Sequence, residues 1–540
     1  LSILARKKEK KFMDNLHIKT VAADLKLQTR QVNAVAGLFA DGATIPFIAR
    51  YRKEVTGSLD EVAIREIEIR LEKLASLEKR RQAITESLIE QKSLTTELKQ
   101  KLGTATSLTE LEDIYLPYRP KRRTRATVAR ERGLQPLAET LFRQRELEPE
   151  VKARSFVNPQ KEIHSLDDAL AGARDIIAEK INEDINTRTR LRRLFVNDGE
   201  IKAVVIKGRE SEGIKFRDYF DWQERSSRVA GHRLLAMLRG EREKVLRISI
   251  RPPLEKALEI LKKRFLKGDN ASTAVVETAL TDAYKRLLAP ALENELRQVL
   301  KERAETEAIA VFAANLKELL LAPPLGAKRV LALDPGFRTG AKVAVLATAG
   351  ELQEHGVIYP TTSDKAKSEA AKVVKDICHR YAIEAIAIGN GTAGRETESF
   401  VRELALPENI TIAMVNEAGA SVYSASEIAR AEFPNHDLTV RGAVSIGRRL
   451  QDPLSELIKI DAKAIGVGQY QHDVDQKHLQ QRLDDVVISC VNMVGVEVNS
   501  ASLQLLTYVA GLNTVLARNI IKYRMENGPF QTRKELLKVP

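Results

Sequence analysis

At Pro323-Pro324-Leu325-Gly326 the chain changes character. Three β-prone runs follow in quick succession, over 329–334, 341–347 and 351–359, with Gly336, Gly340 and Gly350 in the turns. A helical stretch over 365–381 comes next, then a short apolar run at 385–388, a helix near 395–404 and another β-prone run at 410–415. Three consecutive strands cannot be parallel neighbours without crossover connections, whereas βα units can. The order β-β-β-α-β-α-β therefore confines this segment to an α/β sheet with an antiparallel half. From Gln451 onward strand patterns vanish and only helical ones remain.

The flanks are read by periodicity. Val21, Ala22 and Leu25, followed by Val32, Val35, Ala36 and Phe39, have the spacing of a helix-turn-helix within a small helical bundle. A long charged helix is expected over 60–90, with Val62, Ile64, Ile67, Leu71 and Leu74 on its apolar stripe. Helices continue through 133–200. A strand-rich insert is expected over 201–250, where Ala203 to Ile206 and Leu246 to Ile250 are β-prone, and Trp222 lies in an aromatic cluster suited to anchoring a core. Helices resume over 253–321. The expected organisation is an overhang foreign to the fold at 1–12, a helical region with helix-turn-helix at 13–200, a mixed insert with long helices at 201–326, the α/β domain at 327–450, and a helical region at 451–540. No apolar run reaches the roughly 18 residues a membrane span needs. Two cysteines, Cys378 and Cys490, make no disulfide framework, and with no secretion signal they point to a reducing, cytoplasmic setting.

The 540 residues carry a formal charge of +13, unevenly spread. Residues 1–130 hold 26 Lys/Arg against 17 Asp/Glu, whereas 328–460 hold 16 against 17. The densest point is 119–132, where Arg119, Lys121, Arg122, Arg123, Arg125, Arg130 and Arg132 face one local acid, Glu131. Such a run is expected either to meet nucleic-acid phosphates, with a steep salt dependence, or to pair with acids elsewhere in the fold.

Two further places bear chemistry. Asp334 ends the first strand of the α/β segment, before Pro335-Gly336. A strand-end carboxylate followed by glycines and a second strand resembles the ribonuclease H-like fold, where such an Asp holds a divalent ion. Glu417, after the last strand, and Asp452, at the next helix start, are the acids that could meet Asp334 at one sheet edge; alternatively Glu417 lies on a turn and Asp452 caps a helix. Near the end, helices around 503–509 and 515–524 flank Ala510-Gly511-Leu512-Asn513. This resembles a helix-hairpin-helix unit, whose turn aims backbone amides at a phosphate. Gly511 meets the pattern, Asn513 stands for a second glycine in a left-handed conformation, and Arg518 and Lys522 add charge.

Taken together, these phrases resemble the Tex family of bacterial transcription accessory proteins, related to a eukaryotic transcript-elongation factor. The likeness runs from residue 14 to 540 and rests on Ile45-Pro46-Phe47-Ile48-Ala49-Arg50-Tyr51-Arg52-Lys53-Glu54, Asp113-Ile114-Tyr115-Leu116-Pro117-Tyr118-Arg119-Pro120-Lys121-Arg122-Arg123, and Asp334-Pro335-Gly336-Phe337-Arg338-Thr339-Gly340. Gly389-Asn390-Gly391-Thr392, Asn416-Glu417-Ala418-Gly419, Gln451-Asp452-Pro453-Leu454 and Ile465-Gly466-Val467-Gly468-Gln469-Tyr470 extend it. The resemblance implies a multidomain, mainly α chain with one α/β ribonuclease H-like domain of YqgF type and helix-hairpin-helix elements. It also implies a second hairpin and an OB-fold RNA-binding domain beyond Pro540.

The leading expectation is a non-catalytic, monomeric transcription accessory factor that binds RNA and/or DNA through phosphates with weak sequence preference. It would work with RNA polymerase or ribosome-associated transcription machinery, without a membrane and without a required cofactor. The expected contacts are Arg119, Lys121, Arg122, Arg123, Arg125, Gly511, Asn513, Arg518 and Lys522. The alternative is a metal-dependent nuclease or resolvase using Asp334, Glu417 and Asp452, with Asp334 as a ligand of Mg²⁺.

Overall fold

The computed structural model describes residues 15–120, 123–499 and 501–540. The expected overhang at 1–12 lies outside them, as do Lys121 and Arg122. By packing, the chain forms two compact units. One holds the described residues up to Thr29 together with Glu66–Glu307; the other holds Arg30–Arg65 and Ala308–Pro540. The segment 30–65 thus folds with the C-terminal half of the chain, a long-range pairing that no local sequence signal announces.

The first unit is mainly helical. Ser165 and Asp168 form a reciprocal capping box that starts helix Leu166–Asn182, which buries Ala169, Ala173, Ile176, Ile177 and Ile181. A Cβ at Gly172 of this helix would sit 2.3 Å from Leu134 Cδ1, so glycine permits the close approach. The insert carries a three-stranded antiparallel sheet in the order β2-β1-β3, made of β1 (Glu200–Val205), β2 (Asp221–Arg225) and β3 (Leu246–Arg251). Phe216, Val245 and Leu246 form its small core with Tyr219 and Phe220. Trp222 is half-buried on β2, edge-on to Tyr219 and covered by Arg233.

The long charged helix spans Glu61–Glu90. Ile64, Ile67 and Leu71 are buried, but Val62 is 71% exposed. At about 100° per residue, Val62 cannot share a face with Ile64 two positions on.

The second unit is built on a five-stranded sheet in the order β6-β5-β4-β7-β8. Its strands are β4 (Val330–Asp334), β5 (Ala341–Leu346), β6 (Leu352–Ile358), β7 (Ala385–Gly389) and β8 (Thr411–Val415). β4, β5 and β6 pair antiparallel, while β4–β7 and β7–β8 are parallel, which is the arrangement the strand order predicts. Alternation separates the two faces. Leu331, Leu333, Ile386 and Ile388 pack against Val374 and Ile377 of helix Asp364–Arg380 and against Phe400 and Val401 of helix Gly394–Glu403. The opposite face presents the small residues Ala332, Ala385 and Ala387 to helix Leu438–Gln451. That helix lies so close that a Cβ at Gly447 would fall 2.5 Å from Leu346 Cδ1 and 2.9 Å from Ala332 Cβ.

Beyond Gln451 the described residues contain no strand. Helix Gln476–Val494 takes Arg65 against Asp485 at 2.9 Å, and Ser489 Oγ donates to Glu61 at 3.0 Å. Cys378 and Cys490 are both buried free thiols. No helix among the described residues is long and apolar enough to cross a membrane.

Candidate nucleic-acid interface

The basic stretch of the first unit follows a rigid base. Helix Leu108–Tyr115 is capped by Ser107 and buries Asp113. Two arginines of helix Ile185–Asp198 close on that carboxylate: Arg188 Nε donates at 2.6 Å and Arg192 Nη2 at 2.9 Å. Both also reach Glu295, each at 2.8 Å. Tyr115, two residues on, shares a hydrogen bond with Ser87 and lies under Arg80. The chain then turns out to solvent through exposed Tyr118 and Arg119, and Thr124 restarts it by capping helix Arg125–Glu131.

The two expectations for these cations divide by residue. Arg130 meets buried Glu179 at 2.6 Å, and Arg132 pairs with Glu162 at 2.5 Å, so these two are neutralised by acids distant in sequence. Arg123 reaches Glu131 at 2.8 Å, but both side chains are more than half exposed, and such a pair is worth about 1 kcal/mol at most. Arg119 and Arg125 are exposed and meet no carboxylate within ion-pair distance among the described residues. The available cations are therefore Arg119, Arg125 and, by exchange of a weak pair, Arg123. Tyr118, next to Arg119 in the chain, is an exposed ring that charge counting passes over.

In the second unit, Asp334 stands at the end of β4 and Glu417 just beyond β8. The Glu417 carboxylate lies so close over the β7 turn that a Cβ at Gly391 would fall 1.6 Å from Oε1, and one at Gly389 would lie 2.7 Å from Oε2. Its backbone N–H donates to Asn390 Oδ1 at 3.1 Å. Buried Arg449 clamps the turn after β8 that carries Glu417 by donating to the carbonyls of Asn416 and Ala418, each at 2.8 Å. The Asp334 carboxyl is pushed up to about 6, first by burial and then by the negative charge of Glu417; Lys342 opposes this.

Asp452 does not join them. Helix Leu438–Gln451 runs antiparallel to β4: Gly442 faces Asp334 Oδ2, while Gln451 donates to the carbonyls of Lys328 and Ala347 at the opposite end of the strand. Ten residues of helix separate Gly442 from Asp452, about 15 Å of rise. Asp452 instead caps helix Pro453–Leu457, accepting from Ser455 N at 3.0 Å and Ser455 Oγ at 2.6 Å. Of the two readings of these acids, the meeting of all three reduces to a pair and Asp452 is the helix cap; a Cβ at Gly442 would lie 3.2 Å from Asp334 Oδ2. No cluster of three or more His, Cys, Asp or Glu side chains fit to hold a metal ion occurs among the described residues. Two carboxylates suit a single Mg²⁺ that keeps most of its waters, not a two-ion arrangement with a bridging third acid.

The C-terminal hairpin joins Leu503–Thr507 to Thr514–Asn527. Gly511 adopts φ +93°, open to solvent. Asn513 is not left-handed. It is extended at φ −110°, and its side chain accepts from Leu516 N at 2.9 Å, because a helix N-cap needs a β-region backbone and a side-chain acceptor. Arg518 and Lys522 are both exposed on the second helix.

Comparison with known proteins agrees along the chain. Models of the Tex-like protein N-terminal domain, the Tex central region and the Tex protein YqgF-like domain match residues 15–89, 144–312 and 328–451. A helix-hairpin-helix motif matches 491–540. The protein YhgF of Escherichia coli is 47% identical over 540 residues, covering 98% of this chain and 70% of that protein. The chain belongs to the Tex family. Protein tex of Bordetella pertussis is likewise 47% identical, over 97% of this chain and 68% of its own length. Transcriptional accessory protein Tex of Neisseria gonorrhoeae is 46% identical over 96% and 69%. Within this Tex-family chain the carboxylate pair lies in the YqgF-like domain, and Gly511, Arg518 and Lys522 lie in the helix-hairpin-helix motif.

Proposed function

We propose that this chain is a nucleic-acid-binding transcription accessory factor that works as a monomer in the cytoplasm, together with RNA polymerase or ribosome-associated transcription machinery. It grips phosphates and reads little sequence. The observation that carries this reading is a set of exposed arginines in no close ion pair with an acid: Arg119, just after the helix anchored by the buried Asp113 cluster, and Arg125, whose charge reaches Asp175 only at longer range. Lys121 and Arg122 extend the same charge. Gly511, Asn513, Arg518 and Lys522 supply a second phosphate contact in the hairpin, where Asn513 acts by capping the helix whose amides face the anion. The names of relatives, transcriptional accessory protein among them, support the setting.

The test is binding of duplex and single-stranded oligonucleotides across a salt series. Replacing Arg119, Arg123 and Arg125 with Ala should weaken binding about 10- to 100-fold, equally for unrelated sequences, and reduce the slope of log K against log salt by about two to three. Binding that is flat with salt and indifferent to the three substitutions would sink the proposal.

A second reading, a metal-dependent nuclease, is favoured only by the meeting of Asp334 and Glu417. There Mg²⁺ would be held by these two acids and would supply Lewis-acid charge at a phosphate. We read the pair as non-catalytic. Cleavage of RNA or branched DNA in Mg²⁺ or Mn²⁺, abolished by Asp334→Ala, would overturn that.

A further inference from the structure

The phrase Ile45 to Glu54 has no part in the sites above, yet its exposed face is unusual. Helix Ile45–Tyr51 turns Ile45, Ile48 and Ala49 inward, with Pro46 at its start, and packs in the second unit. The outward positions 47, 50 and 51 repeat the same three-and-four spacing, so they form one stripe. An outward stripe is ordinarily polar; this one reads Phe47, Arg50, Tyr51, of which Tyr51 is exposed and Phe47 and Arg50 are half-buried. The two rings lie 5.6 Å apart, and the Arg52 guanidinium sits 4.8 Å over the Phe47 ring. Arg52 also donates from Nη1 to the Tyr51 carbonyl at 2.8 Å. Tyr51 is 43% exposed. Arg50 and Lys53 have no acid within ion-pair distance among the described residues, and Glu54 is the one acid of the phrase.

From this face we propose a binding site for single-stranded nucleic acid, with an unstacked base on the Phe47–Tyr51 rings and the flanking phosphates on Arg50 and Lys53. The proposal rests on the nucleic-acid reading above but uses different residues in the other unit. With Arg52 over the Phe47 ring, exposed Tyr51 offers a π face that any base can stack on, and the cations of the same phrase match a backbone that passes the base. A base inside a duplex has both faces covered, so the site selects single strands. An acidic peptide would satisfy the cations and leave the rings unused.

The full chain is titrated by fluorescence anisotropy with labelled dT12, rU12 and a mixed-sequence duplex of the same length. Tyr51→Ala should weaken dT12 and rU12 binding about 5- to 100-fold, a loss nearly constant with salt because stacking releases no counterions. Duplex binding should stay within about twofold, and Tyr51→Phe should retain single-strand binding. Arg50→Ala and Lys53→Ala should each lower the single-strand salt slope by about 0.7. Photocrosslinking of a 5-iodouridine oligonucleotide to the unmutated chain should mark Phe47 or Tyr51, which keeps the test valid if a variant is poorly folded. Unchanged dT12 and rU12 binding by Tyr51→Ala, equal losses on duplex, or crosslinks confined elsewhere would overturn the site. Should Tyr51→Ala be silent while the Arg119, Arg123 and Arg125 variant still binds weakly, this site alone falls. Should both be silent, the nucleic-acid reading falls with it.

Discussion

Asp113→Ala is expected to destabilise the first unit by about 3–5 kcal/mol, the cost of removing one partner from a buried ion cluster. Asp113 is 4% exposed and Arg188 6%, and the carboxylate accepts from Arg188 and twice from Arg192. Without it, Arg188 keeps only Glu295, a group nearer to solvent, and a guanidinium cannot shed its charge. Breaking the cluster from the Glu295 side should cost less, because water can replace that partner. The measurement is urea unfolding, with hydrogen exchange over 108–131 to locate the loss. The same variant should bind nucleic acid more weakly although it contacts none, since Arg119 follows closely on the anchored helix. A melting profile equal to the unmutated chain would show that the cluster is not holding this segment.

Asp334→Asn should act in the opposite direction. Burial and Glu417 raise the Asp334 carboxyl from the ordinary 3.8 to about 6. Between about pH 4 and 6 the folded chain holds a proton that the unfolded chain has released. Its contribution to stability is therefore complete below about pH 4, falls as pH rises towards 6, and is fully lost above that. Asparagine resembles the protonated acid at every pH. The variant should be more stable than the unmutated chain by about 1–3 kcal/mol at pH 7.5 and near equal at pH 4. Parallel denaturation at the two pH values checks this, and an equal difference at both would refute the coupling. A buried carboxylate whose pKa is raised beside a second acid is the pattern of functional sites. Asp334 and Glu417 thus remain worth testing for a bound cation even though Asp452 lies at the far end of the helix.

The candidate site was only partly legible in the sequence, and the division follows the range of the forces. The YqgF-like sheet could be read because alternation over five or six residues already states which side chains share a face. Leu331 and Leu333 oppose Ala332 wherever the strand lies. Asp452 followed by Pro453 carries its cap within three residues, whereas Asn513, which reads as a left-handed stand-in for glycine, is an extended helix cap. The charge density at 119–132 is likewise a local count.

What needed the tertiary structure is every relation whose partners are far apart in the chain. Seven clustered cations look alike in sequence, yet Glu162 and Glu179 pair closely with Arg132 and Arg130, while Arg119 and Arg125 are exposed without a close ion pair. Asp113 reads as an ordinary helix acid until Arg188, Arg192 and Glu295 surround it. Three acids at plausible positions became a pair because the direction of helix Leu438–Gln451 across the sheet sends Asp452 away from Asp334. Tyr51 faces solvent because Ile45, Ile48 and Ala49 turn inward in a segment that packs with the far end of the chain. Periodicity and capping are settled over one or two turns of backbone. Charge partners and exposed faces are settled by packing between elements, and that packing has no signature shorter than the fold itself.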